Sequence, residues 1–119
     1  MKYFFSLIVL VALLASCKTK TKFNDLTEVS YVQHIAPIIS SNCAFSGCHG
    51  DSTFVKFKLT SYTTLINGGI KAGSPESSEL YGTLKSLDDD IMPKKPYNAL
   101  TEKQIQLMYV WIGQGAKNN

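Results

Sequence analysis

"NCAFSGCHGD", Asn42 to Asp51, sets two cysteines five positions apart and follows the second at once with a histidine. Three chemistries suit those residue types. Cys43 and Cys48 can close a small loop as a disulfide, leaving His49 at the surface. The same three side chains, with His34, can form a zinc site. Or the two thiols and the imidazole beside the second can hold a haem, for which the usual spacing is C-x-x-C-H. Here the spacing is C-x-x-x-x-C-H, with Ala44, Phe45, Ser46 and Gly47 between the thiols. Two extra residues leave both sulfurs in place if the spacer bulges outward, and Gly47 permits the backbone angles a bulge needs. Cys48-His49, which sets the imidazole relative to its own sulfur, is intact.

The start of the chain fixes the compartment in which these thiols are expected to work. Lys2 precedes the apolar run "YFFSLIVLVALLA", and small residues come after it. A basic start and an apolar run too short for a permanent span describe an export signal over residues 1–16. "LASC", Leu14 to Cys17, resembles the lipobox of bacterial lipoproteins, which implies that Cys17 is lipidated and becomes the new N-terminus. Acyl chains then hold the protein on a membrane, each buried methylene adding about 0.8 kcal/mol. Lys18 after that cysteine, in place of Asp, points to the outer membrane, on the periplasmic side of the envelope. Thiols do not persist there, so Cys43 and Cys48 are expected to be paired, metal-bound or alkylated.

Charge excludes some partners. The 119-residue chain carries a net charge of +3, all of its basic residues being lysine. Without Lys2 the charge is about +2. That bias is too weak for nucleic acid, and the absence of arginine removes the usual bidentate phosphate ligand. The remainder of the chain beyond the signal, roughly a hundred residues, makes one domain with a modest core.

Local signals predict an all-α fold of roughly three to five short helices with long loops. Residues 17–30 read as a lipidated end and a solvated tether, and residues 31–119 as the domain. Ser30 caps a helix whose apolar face holds Tyr31, Ile35, Ile38 and Ile39, with Pro37 forcing a kink or a start near Ala36. Residues 52–60 read as an extended loop. Ser61 caps a helix through Ile66 that stops at Asn67-Gly68-Gly69. Ser74 caps another, with Pro75 in its first position and Leu80, Tyr81, Leu84 and Leu87 on its buried side. Two prolines and a run of acids make 88–98 a loop. Thr101 and Gln104 form a capping box, with Leu100 and Ile105 as its staple, for a terminal helix ending at Gly113 or Gly115. Ile105, Met108, Trp111 and Ile112 share one side of that helix. Long loops in so small a domain are stabilised by wrapping something.

A six-coordinate haem needs a second axial ligand, and a soft thioether there favours reduced iron. Met92 lies in the 88–98 loop beside Pro93. Met108 is a rival whose helical spacing marks it as core, and His34 is another.

Four blocks in this order, "HIAPIISSNCAFSGCHGD", "LTSYTTLINGG", "GSPESSELYGTL" and "IMPKKPYNALTEKQIQLMYVWIGQGA", closely resemble the planctomycete-type cytochrome c domain, a relative of the small monohaem class I cytochromes c. The resemblance covers Tyr31 to Lys117. It implies one haem c held by thioethers at Cys43 and Cys48, His49 as proximal ligand and Met92 as distal ligand, within helices and loops that wrap the group. It also implies that Trp111 packs the terminal helix on the first helix near the haem. The sequence departs from the family in its longer cysteine spacer, and in Lys94 where a second proline commonly comes after Met-Pro.

The function so implied is single-electron transfer by a lipid-anchored carrier rather than an enzyme. A redox protein partner is expected to dock near Phe45, Lys94 and Lys95, whose charges suit an acidic surface. A tether between lipid and domain lets the carrier swing between donor and acceptor. If Met92 does not bind iron, the implied role becomes that of a sensor or a peroxidase-like enzyme. If no haem is attached, the chain is a disulfide-stapled lipoprotein acting as a binding or assembly module.

Overall fold

After a 3-10 turn at Phe23–Asp25, Ser30 caps the first long helical stretch: its Oγ accepts the Gln33 N–H at 3.2 Å. In the computed structural model, which describes residues 22–52 and 57–119, the cap leads into a π-helical turn over Tyr31–Ile35. The turn continues directly as α1, Ala36–Asn42. Pro37 explains the change of register. It has no N–H for the Gln33 carbonyl and its ring crowds that carbonyl, so the preceding turn widens. The first-turn donors that a helix leaves unpaired find acceptors on Asn119, whose main-chain oxygen takes the Val32 N–H at 3.0 Å and whose Oδ1 takes the Tyr31 N–H at 2.9 Å.

Three further α-helices complete the chain, α2 at Tyr62–Asn67, α3 at Glu79–Lys85 and α4 at Glu102–Gly113, and there is no strand among the described residues. The fold is all-helical, as expected. The predicted box of Thr101 with Gln104 forms at the start of α4, and Ser61, expected as a simple cap, forms a box with Thr64 at the start of α2. At the far end of α4, Gly115 adopts φ +102°, which lets the chain turn back so that the Ala116 N–H reaches the Trp111 carbonyl at 2.9 Å.

The core is built where these helices meet. Ile35, Leu65, Met108, Trp111 and Ile112 are fully buried, and Ile38, Ile39, Leu59, Leu80, Tyr81, Leu84 and Leu100 surround them. Trp111 lies 5.9 Å from the Tyr31 ring, and its indole N–H donates to the Lys117 carbonyl at 2.9 Å. Met108 is thus core, in keeping with its helical spacing.

Three local expectations are corrected. Ser74 makes no cap, and the predicted single helix divides into a 3-10 turn at Pro75–Ser77 and α3. The reason is Ser78, buried between them, whose hydroxyl accepts the Lys71 N–H at 2.9 Å and donates to the Ser74 carbonyl at 3.0 Å. Leu87 is 100% exposed rather than buried, because α3 stops at Lys85 before the acidic run. The free tether also ends earlier than Ser30. Gln114 gathers residues 23–29 onto α4: its Oε1 accepts the Val29 N–H at 2.9 Å, and its Nε2 reaches the carbonyls of Phe23, Leu26 and Thr27 at 3.1–3.2 Å. Phe23 sits over Gly113, where any Cβ would collide with its ring, and a Lys117–Glu28 ion pair at 2.9 Å closes the strap. The expected signal at 1–16, the lipidation site Cys17, tether residues 18–21, and residues 53–56 of the extended loop lie outside the described residues. No helix among the described residues is long and apolar enough to cross a membrane.

Candidate functional site: a cleft shared by two cysteines, a histidine and a methionine

The end of α1 delivers Cys43 to the edge of the core, and the chain then folds into a tight loop. The spacer is closed by its own main-chain hydrogen bonds. Phe45 offers its carbonyl to the N–H of Cys48 at 3.0 Å and of Gly50 at 2.8 Å, while the His49 N–H returns to the Cys43 carbonyl at 3.1 Å. Gly47 sits at φ +83°. Gly50 admits no side chain, since a Cβ there would stand 2.6 Å from the Phe45 oxygen. Close backbone approach, rather than a strained dihedral, is what demands glycine at that position.

Segment 57–59 runs alongside this loop and holds His49 at two points. The Leu59 N–H donates to the His49 carbonyl at 2.8 Å, and the His49 Nδ1 lies 2.9 Å from the Phe57 carbonyl oxygen. The Phe57 ring stacks on the imidazole with centroids 5.3 Å apart. A carbonyl only accepts, so Nδ1 carries the proton, and in the neutral ring the lone pair is left on Nε2. Ligating histidines are oriented and tuned in this way, through the nitrogen that does not bind.

The other wall comes from α3 and the 88–98 loop. The Met92 N–H donates to the Thr83 carbonyl at 3.0 Å, which ties the methionine to α3. Cys43, His49 and Met92 line both of two neighbouring chambers of a cleft, an inner one against α3 and an outer one beside the turn at residues 93–97. The inner chamber, about 490 Å³, has Phe57, Leu59, Leu80 and Leu84 among its walls. The outer chamber, about 310 Å³, adds Cys48, Pro93, Lys94, Lys95 and Tyr97. Both volumes fall in the range of sites that take small organic groups, about 300–1,000 Å³.

Burial pushes the Cys43 thiol up from its ordinary 9.0 to about 11, with the Cys48 charge as a second cause. Cys43 is therefore a protonated thiol at neutral pH, and its sulfur becomes nucleophilic only when a base takes the proton. Chemically the cleft offers two sulfur nucleophiles, one imidazole nitrogen and one thioether against largely apolar walls. That donor set fits a covalently held haem: thiols for thioethers, N and S for iron, and apolar surface for a macrocycle.

Four residues expected at the site from sequence, Cys43, Cys48, His49 and Met92, thus line one cleft, and Lys94 and Lys95 stand at its rim. Trp111 packs on the first helical stretch as expected but lines neither chamber. His34 lies apart, its Nδ1 accepting the Ser30 N–H at 3.0 Å. Among the described residues no group of three or more His, Cys, Asp or Glu side chains is placed to hold a metal ion, so the zinc site with His34 does not assemble. Sequence reading missed the Phe57 carbonyl, Gly50 and Thr83. Only Gly50, directly after the histidine, left a signal there. Comparison with family models, with curated proteins and with solved structures finds no match to this chain.

Proposed function

We propose that the chain is a membrane-anchored c-type cytochrome, carrying single electrons through one covalently attached haem c. Cys43 and Cys48 would hold the group through thioethers, each S–H adding across a vinyl group so that C–S and C–H bonds replace the π and S–H bonds. His49, through Nε2, and Met92, through its thioether, would be the residues that hold the iron. Haem supplies one-electron gain and loss at iron when bound. With His49 and Met92 both committed to the group, no position on it would be left for a substrate, so the chain would act as a carrier rather than an enzyme. Phe57, Leu59, Leu80 and Leu84 would set apolar side chains against the group, and low-dielectric surroundings strengthen each electrostatic influence on its potential.

The observation that carries this reading is the 2.9 Å approach of His49 Nδ1 to the Phe57 carbonyl, in a cleft that also holds both cysteines and Met92. It leaves the nitrogen a metal needs. A redox protein docks over the outer chamber, where Lys94 and Lys95 favour an acidic surface. Export by residues 1–16 and lipidation of Cys17 hold the domain on the periplasmic side of the envelope, at the outer membrane.

The test is a pyridine haemochrome spectrum of the chain, exported from a cell that matures c-type cytochromes and extracted with acid acetone. The reading expects one haem per chain retained in the protein. A colourless protein would instead favour the haem-free, disulfide-stapled lipoprotein.

A further inference from the structure

The longer cysteine spacer has a structural product: it carries the Phe45 ring out of the loop and onto Tyr97. The two rings stack with centroids 5.5 Å apart and planes 16° from parallel. They belong to the two opposed lips of the cleft. Phe45 is anchored in the cysteine loop by its own carbonyl, which accepts the N–H groups of Cys48 and Gly50, the latter at close backbone approach because Gly50 has no side chain. Tyr97 closes the turn after Met92, its N–H donating to the Lys94 carbonyl at 3.0 Å, and it lines the outer chamber with Met92, Pro93, Lys94 and Lys95. Tyr97 is 47% exposed, so burial alone does not hold it there.

We infer that the Phe45–Tyr97 stack is a clasp that holds the Met92 loop closed against the cysteine loop, which makes Phe45 and Tyr97 positioning residues for the thioether of Met92. The clasp itself stands on the geometry of the two loops, and its effect on a distal ligand rests on the haem reading. On the other side the loop is tied by the Met92 N–H to the Thr83 carbonyl, so the stack supplies the second of two attachments. A loop held at one end swings; held at both, it keeps Met92 facing the cleft. The extra spacer residues thereby acquire a role: they lengthen the cysteine loop enough for an aromatic side chain to reach across.

The experiment uses the natively exported full chain with Phe45→Ala, Tyr97→Ala, the double variant and Phe45→Tyr. Amide hydrogen exchange is read at Ile91, Met92 and Tyr97, whose N–H groups are bonded within or beside the loop, with the Trp111 amide of α4 as control. An aromatic pair of this kind is expected to protect its loop by roughly threefold to tenfold. Each alanine variant should speed exchange at the three loop amides by about that factor and leave Trp111 unchanged, the double variant should add little more, and Phe45→Tyr should keep the parental rates. In haem-loaded material Phe45→Ala should also weaken the near-infrared band of sulfur ligation and admit carbon monoxide to the reduced iron. Unchanged exchange at all three loop amides in both alanine variants would overturn the clasp. Faster loop exchange with an undiminished sulfur band would overturn the positioning of Met92. A preparation without haem still reads the exchange, so failure of the clasp and failure of the haem reading give different results.

Discussion

His49 and Phe57 face each other twice, ring on ring at 5.3 Å and imidazole Nδ1 on carbonyl oxygen at 2.9 Å. The pairing fixes both the rotation of the imidazole and the nitrogen that holds its proton. Met92 lines the same cleft from the opposite loop, so the two axial candidates belong to separately anchored segments. That separation makes their contributions testable one at a time.

On the proposed haem reading, replacing Met92 by alanine should leave the attachment at Cys43 and Cys48 and the ligand His49 in place. Haem should still be retained covalently, while the near-infrared sulfur band disappears and the potential falls, since a thioether favours reduced iron. Electronic spectra and a redox titration check both. Retention of the sulfur band in Met92→Ala would point to another methionine, and Met108, 1% exposed in the core, is poorly placed to supply it.

Gly50→Ala brings a methyl group to 2.6 Å from the Phe45 carbonyl oxygen. The cysteine loop must open to admit it, at a cost of about 1–3 kcal/mol for a forced overpacking. A lowered denaturant midpoint, with poorer haem retention, is the expected outcome. Gly47→Ala is the informative comparison: nothing stands within 4 Å of its Cβ, so only its positive φ resists the change.

Gln114→Ala releases three carbonyls and one N–H of the strap at residues 23–29. Several partly exposed hydrogen bonds lost together should cost about 1–3 kcal/mol. Proteolysis should then cut within residues 23–28 well before the helices unfold. A parental proteolysis pattern would show that Phe23 on Gly113 and the Lys117–Glu28 pair hold the strap without it.

Cys43 sets a pH dependence in chain produced without haem. Its folded pKa, about 11, lies above the ordinary 9.0, so the protonated thiol contributes stability that is present below about 9 and lost as pH rises through about 11. The unfolding midpoint should fall across that window. Cys43→Ala should remove part of the fall, leaving what Tyr31 and Tyr109, both raised by partial burial, contribute. Alkylation of Cys43 should accelerate over the same range, because only the thiolate attacks.

The parts legible in the sequence are those whose cause is local. Ser61 as a cap and Thr101 with Gln104 as a capping box announce their helices because a cap spans one turn, and the apolar spacing of Met108, Trp111 and Ile112 marks a core face for the same reason. Leu87 misleads because it continues the spacing of Leu80 and Leu84 beyond the residue at which α3 stops. The strap is illegible for another reason: Gln114 meets Val29 and Phe23 only after α4 has folded back on the start of the domain. At the site, Cys43, Cys48 and His49 are visible as a motif. Their supports are not, because the Phe57 carbonyl and the Thr83 carbonyl are main-chain groups that any residue would provide, and packing alone brings them to the cleft.

The most direct test is mass spectrometry of the peptide spanning Asn42 to Asp51, released from natively matured protein without reduction. The account predicts one tetrapyrrole bound through both Cys43 and Cys48. A peptide in which those two sulfurs are joined to each other, with no tetrapyrrole mass, would contradict it.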